Sequence, residues 1–176
     1  MHRIAGTLVV VALAFGSGCS DSDPAAGGAA GESATVQART MPEVWLDILA
    51  QRDLIQAATS KGTDMWHEDC AVVSSAAAAL DPLAVEFGKS VTVLPVGDER
   101  RIGAELILGY LLATGATMRS AAIEEQVGSL PGMMVGLDAL LQGLEASVGT
   151  AELGGVSVAT RPGFNPVRPP PPPSPI

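Results

Sequence analysis

The chain has 176 residues, 47% of them apolar and 16% charged, with a formal net charge of −9 at pH 7. Enough apolar side chain is present to bury a core. The acidic balance repels phosphates and anionic headgroups and provides no clustered basic face, which excludes nucleic acid as an expected partner.

The N-terminus is expected to be an export signal occupying residues 1–18. His2 and Arg3 form a minimal positive region, Ile4 to Phe15 is a continuous apolar run, and Gly16-Ser17-Gly18 supplies small residues before Cys19. A run of 12 residues falls short of the about 20 that a membrane-crossing helix needs, so cleavage is expected rather than retention in the bilayer. Residues 19–40 follow, with Ser20 to Thr40 rich in Gly, Ala, Ser, Asp and Glu and almost without large apolar side chains. That composition predicts a disordered linker, and about 21 flexible residues span roughly 25 Å.

Residues 41–149 are expected to form an all-α, antiparallel four-helix bundle. Helix 1 is predicted over Pro42 to Thr59, with Glu43 and Asp47 in its first turns and Trp45, Ile48, Leu49 and Ile55 inward. Thr63 or Asp64 is expected to cap helix 2. Its stripe Trp66, Cys70, Val73, Ala77, Leu80, Ala84 and Phe87 recurs in steps of four and three, the spacing of helices packed nearly antiparallel. Asp81-Pro82 predicts a kink or a fresh turn within this helix, and Gly88 its stop. Val91-Thr92-Val93 is expected to be briefly extended. Asp98 caps helix 3, whose Ile102, Leu106, Leu108, Leu111 and Leu112 predict the most buried helix. Thr114-Gly115-Ala116 is expected to be a tight turn into helix 4, from near Met118 to about Val148. Its stripe runs Ile123, Val127, Leu130, Met134, Leu137, Leu141, Leu144 and Val148, and because phase is kept across Pro131 the sequence favours one bent helix. Residues 150–176, which include the run Pro169 to Pro173, are expected to be a disordered Pro-rich tail favouring polyproline II.

No catalytic signature is present: no Gly-x-Ser-x-Gly elbow, phosphate loop, His-Glu-x-x-His or Cys-x-x-Cys. His2 lies in the signal, which leaves His67 as the one mature histidine, so a catalytic triad or a three-histidine zinc site within one chain is expected to be incomplete or impossible. No enzyme activity, no catalytic residue and no cofactor is therefore expected. The one cluster with ligand chemistry is Trp66-His67-Glu68-Asp69-Cys70. His67 and Cys70 stand three apart on one helical face, and imidazole with thiolate suits copper or zinc, with Met65 and, more remotely, Met133 and Met134 as soft donors. The plainer expectation makes Cys70 a small core residue and lets Glu68 and Asp69 complement the helix dipole.

Phe15-Gly16-Ser17-Gly18-Cys19 resembles the lipobox of bacterial lipoproteins, although Gly16 stands where that family favours Leu, Val or Ile. The resemblance implies that Cys19 receives a diacylglycerol on sulfur, becomes the fatty-acylated (palmitate-type) mature N-terminus and anchors the chain to the membrane through several acyl chains. Ser20 in the next position implies the outer membrane in a Gram-negative cell. Trp45-Leu46-Asp47-Ile48, Gln51-Arg52-Asp53 and Trp66-His67 resemble small exported four-helix proteins of unassigned function. The layout is also similar to the cytochrome b562-type bundle, but helix 4 lacks the axial histidine, so haem is not implied. Together these features lead to the expectation of a lipid-anchored, non-enzymatic module of the cell envelope, facing the periplasm and meeting an envelope protein partner. The alternative is a periplasmic copper or zinc binder using His67 and Cys70.

Overall fold

The computed structural model describes residues 38–166. Four helices, α1 (Met41–Thr59), α2 (His67–Val91), α3 (Glu99–Ile123) and α4 (Leu130–Val148), pack antiparallel in sequence order, α1 on α2, α2 on α3 and α3 on α4. The all-α four-helix architecture is the one the apolar spacing predicts. The chain ahead of residue 38, including Cys19 and all but the last three residues of the linker, and residues 167–176 lie outside the described residues.

Local hydrogen bonds start α1, α2 and α3. At α1 the Glu43 carboxylate accepts from the Thr40 backbone N–H at 2.7 Å and from its hydroxyl at 2.8 Å, which satisfies groups at the N-terminus and, led by that backbone donor, holds Glu43 below the usual carboxylate range. Trp45, Ile48, Leu49 and Ile55 are fully buried, as their spacing requires. At α3, Asp98 accepts from the Arg100 N–H at 2.9 Å.

Helix 2 departs from expectation at both ends. Thr63 and Asp64 belong to a separate 3₁₀ turn, Gly62–Asp64, and α2 begins at His67, where Asp69 accepts from the Trp66 N–H at 2.9 Å. Trp66 therefore precedes the helix and is 75% exposed, outside the core to which the stripe assigned it. Farther along, α2 runs unbroken through Pro82 and Gly88 to Val91. Loss of one backbone hydrogen bond at Pro82 costs about 3 kcal/mol, but Leu80, Leu83, Ala84, Phe87 and Val91 are buried on either side of it, and that packing holds the chain helical. Thr92 takes an αR cap and Val93 a turn, not an extended segment.

Thr114-Gly115-Ala116 is the interior of α3, not a turn. A Cβ on Gly115 would lie 3.3 Å from the Ala77 carbonyl and 3.6 Å from Asp81 Oδ1. The glycine is there because α3 crosses α2 closely, so its signal was one of packing, which a single sequence does not distinguish from a turn. Nor is α3 the most buried helix: seven of its 25 residues are buried against ten of 25 in α2, and Ile102 and Leu106 face outward.

Consequently the expected long helix from Met118 to Val148 is two helices. Residues 118–123 finish α3, which closes with Gln126 N–H donating to the Ala121 carbonyl at 2.8 Å and Glu125 N–H to that of Ala122 at 3.2 Å, the Schellman pattern that reverses the chain. Glu125 sits at φ +53°, where glycine is the usual occupant. Pro131 falls in the first turn of α4, where the missing N–H is no loss. From Leu130 onward the predicted stripe holds: Leu130, Met134, Leu137, Leu141, Leu144 and Val148 are all buried, whereas Ile123 is exposed.

Residues 150–166, expected to be unstructured, pack on the bundle. Leu153 and Val158 are fully buried, and Trp45 Nε1 donates to the Val156 carbonyl at 2.9 Å. Glu145 accepts from the Val158 N–H at 2.9 Å. Gly163, at φ +66°, comes so close to α1 that a Cβ would lie 2.7 Å from Gln56 Nε2. The segment thus ties α1 to α4. Proline and glycine here mark turns of a packed strap, a use that composition alone does not separate from disorder.

Candidate functional site

Cys19, the expected lipidation site, lies outside the described residues. The His67 cluster does not. His67 opens α2 with its ring 85% exposed and Nδ1 2.6 Å from Glu125 Oε1. Cys70, one turn on, is buried, and burial, reinforced by the Glu125 and Asp69 carboxylates, pushes its thiol pKa up and keeps it protonated. Asp69 is held below the carboxylate range, first by Lys61, whose Nζ donates at 2.5 Å, and then by the Trp66 N–H. Met65 and Met134 are core residues and Met133 packs against the core. Among the described residues no three His, Cys, Asp or Glu side chains converge as a metal cage. His67 and Cys70 do line one open groove, about 420 Å³, with Ala71, Ser75, Ala122 and Ile123.

A second groove of about 460 Å³ lies between α2 and α3 at the opposite end, among Val85, Gly88, Leu108, Gly109 and Leu112. Between the two, Arg119 reaches Asp81 at 3.5 Å. Small residues line much of each groove, alanine and serine in the first and Ala84, Gly88 and Gly109 beside Leu108 and Leu112 in the second. Val85 and Ile123 remain in solvent at the edges of these grooves, and Trp66, Ile102, Leu106 and Tyr110 are exposed elsewhere on or beside α2 and α3.

On the far side, α1 and α4 are joined by a buried ion pair that the sequence did not single out. Arg52 Nε donates to Asp138 Oδ1 at 2.8 Å and Nη2 to Oδ2 at 2.9 Å, a two-bonded fork with both side chains almost wholly out of solvent. Burial draws the Arg52 pKa down, but its hydrogen bonds and charge interactions with Asp138 and Asp53 outweigh this and hold the guanidinium above its ordinary value. Arg52 Nη1 also donates to the Pro162 carbonyl at 2.6 Å, and Asn165 N–H donates to Asp138 at 3.2 Å. Arg161 pairs with Asp53, while its own Nε is buried without a partner. The ion pair is a structural clasp: its polar atoms are spent on one another and on the strap, leaving no open position for chemistry. Its sequence trace was a charge in the apolar phase of each helix. Arg52 lies four after Ile48, and Asp138 follows Leu137 in the α4 stripe.

Compared with known protein families, curated proteins and solved structures, the chain matches none.

Proposed function

We propose that this chain is a lipid-anchored, non-enzymatic helical-bundle protein of the bacterial cell envelope, facing the periplasm and working as a binding or accessory module. The observation that carries the proposal is Phe15-Gly16-Ser17-Gly18-Cys19 placed directly behind a 12-residue apolar run with a minimal basic start. Two or more acyl chains on Cys19 give stable attachment, at about 0.8 kcal/mol per buried methylene. The exposed apolar side chains along α2 and α3 support the binding half of the proposal, since a module that only filled space would gain nothing from keeping Trp66 and Ile123 in water. Cell fractionation tests it: Cys19→Ser is expected to move the protein from the membrane to the soluble fraction, and continued membrane association of that variant would refute the anchor.

A second reading, copper or zinc binding through His67 and Cys70, is favoured by the groove they share. Against it stands the raised thiol pKa, because thiolate is the ligating form. Equilibrium dialysis with Cu²⁺ and Zn²⁺ decides it: uptake that disappears in both His67→Ala and Cys70→Ala supports the metal reading, and uptake unchanged by either removes it.

A further inference from the structure

The two grooves on α2 and α3 belong to one continuous strip. Ala71, Ala78 and Val85 succeed one another at seven-residue intervals on α2, with Thr92 at its cap, as do Gly109, Ala116 and Ile123 on α3, and such intervals keep side chains on one face to within about 20° per step. The strip repeats a simple unit at each end, a projecting aliphatic side chain beside a hollow. Ile123 stands 68% exposed at the rim of the groove floored by Ala71, Ser75 and Ala78, and Val85 stands 53% exposed at the rim of the groove floored by Gly88 and Gly109.

Charge along the strip is polar in the same sense. Beyond the Ile123 end lie Glu68, Glu124 and Glu125, with His67 against Glu125 as the nearby base. At the Val85 end Arg100 is paired with Asp98, Arg101 with Glu105 and Glu86 with Arg39, so among the described residues Lys89, in the groove with Glu105 and near Glu86, is the cation of that end outside an ion pair. The Asp81–Arg119 pair marks the middle.

We propose that this face docks a second copy of the same chain, antiparallel, about a two-fold axis passing near Asp81 and Arg119. In that arrangement each Ile123 enters the other copy's Gly88–Gly109 hollow and each Val85 the other's Ala71–Ala78 hollow. The acidic end of one copy meets Lys89 of the other, and the central acid and base can pair within or across copies. A parallel arrangement would set carboxylates against carboxylates. Helices of 25 residues extend about 37 Å, and two of them side by side are roughly 20 Å wide, which offers on the order of 750 Å² per copy, close to the about 800 Å² per partner of a stable interface. An isologous contact of this kind uses one patch twice. The proposal is independent of the lipid anchor.

The test is sedimentation equilibrium of the full chain carrying Cys19→Ser, so that no acyl group contributes to association. The expected result is a dimer. Lys89→Glu weakens it about tenfold, Glu124→Lys with Glu125→Lys weakens it similarly, and all three substitutions together restore it. Ala116→Cys, near the axis, forms a disulfide-linked dimer, whereas Val135→Cys on α4 does not. A chain that is monomeric at about 100 µM, or a dimer indifferent to both charge reversals, overturns the proposal. So does a monomer whose retention on phosphatidylethanolamine vesicles is lost with Ile123→Asp, which would assign the face to lipid.

Discussion

Replacing Asp138 by alanine removes the partner of a guanidinium that has no access to water. Both Arg52 donors of the fork, at 2.8 and 2.9 Å, lose their acceptors, and so does the Asn165 N–H. Breaking a buried pair from one side costs about 3–5 kcal/mol. Over the 129 residues from 38 to 166, an unfolding entropy of about 2.1 cal/mol/K per residue turns each kcal/mol into roughly 4 °C, so Tm is expected to fall by about 11–18 °C. Circular dichroism at 222 nm during heating, with urea titration to supply the free energy, measures both. The paired replacement Arg52→Met with Asp138→Leu abolishes the stranded charge and is expected to recover most of the loss, since a buried ion pair is often matched by apolar side chains of similar volume. A loss below about 1 kcal/mol in the single variant, or a double variant no better than it, would refute the view of this pair as a desolvated clasp.

Gly115→Val drives a branched side chain toward the Ala77 carbonyl, where even a Cβ would lie at 3.3 Å, and should cost about 1–3 kcal/mol in urea denaturation. Glu125→Gly relieves the φ of +53° and forfeits only an exposed contact to His67, so a gain of about 0.5–1 kcal/mol is expected in the same assay. Truncation after Gly149 removes Leu153, Val158 and the acceptor of Trp45 Nε1; Trp45 fluorescence should shift to the red, and an unshifted spectrum would show that the strap does not cover it. Glu43, Asp69, Glu86 and Asp98 all have pKa values lowered by hydrogen bonds in the folded chain. Groups lowered on folding stabilise above their ordinary values of 3.8 for Asp and 4.5 for Glu, and that contribution is lost as pH falls through the folded values. Stability should therefore decline on acidification below about pH 4.5; a Tm that is flat or rising from pH 5 to pH 2.5 would contradict these contacts.

What the sequence revealed, and what it hid, divides along physical lines. Helix class was legible because Trp45, Ile48, Leu49 and Ile55, and again Leu130 to Val148, repeat at the helical period and are buried accordingly. Boundaries were misplaced wherever one residue type serves two purposes. Gly115 allows close helix crossing but reads as a turn. Glu125 occupies a turn position that lacks the glycine by which it would be recognised. Pro82 interrupts α2 in the sequence and not in the fold, because burial on both sides outweighs the lost hydrogen bond. The clasp between Arg52 and Asp138 spans 86 positions, and nothing local pairs one charge in an apolar phase with another so distant. The buried Cys70 and exposed His67 were legible, because Cys70 lies in the apolar stripe of α2 and His67 at its edge, but the contact of His67 with Glu125 depends on the distant turn after α3.

Lipidation of Cys19 underlies the proposed function. Intact-mass analysis of the protein extracted from membranes is expected to give a chain beginning at Cys19 whose mass exceeds that of the polypeptide by a diacylglycerol and, where the amine is also acylated, one further fatty acyl group. An unmodified Cys19, or a chain beginning elsewhere, would contradict it.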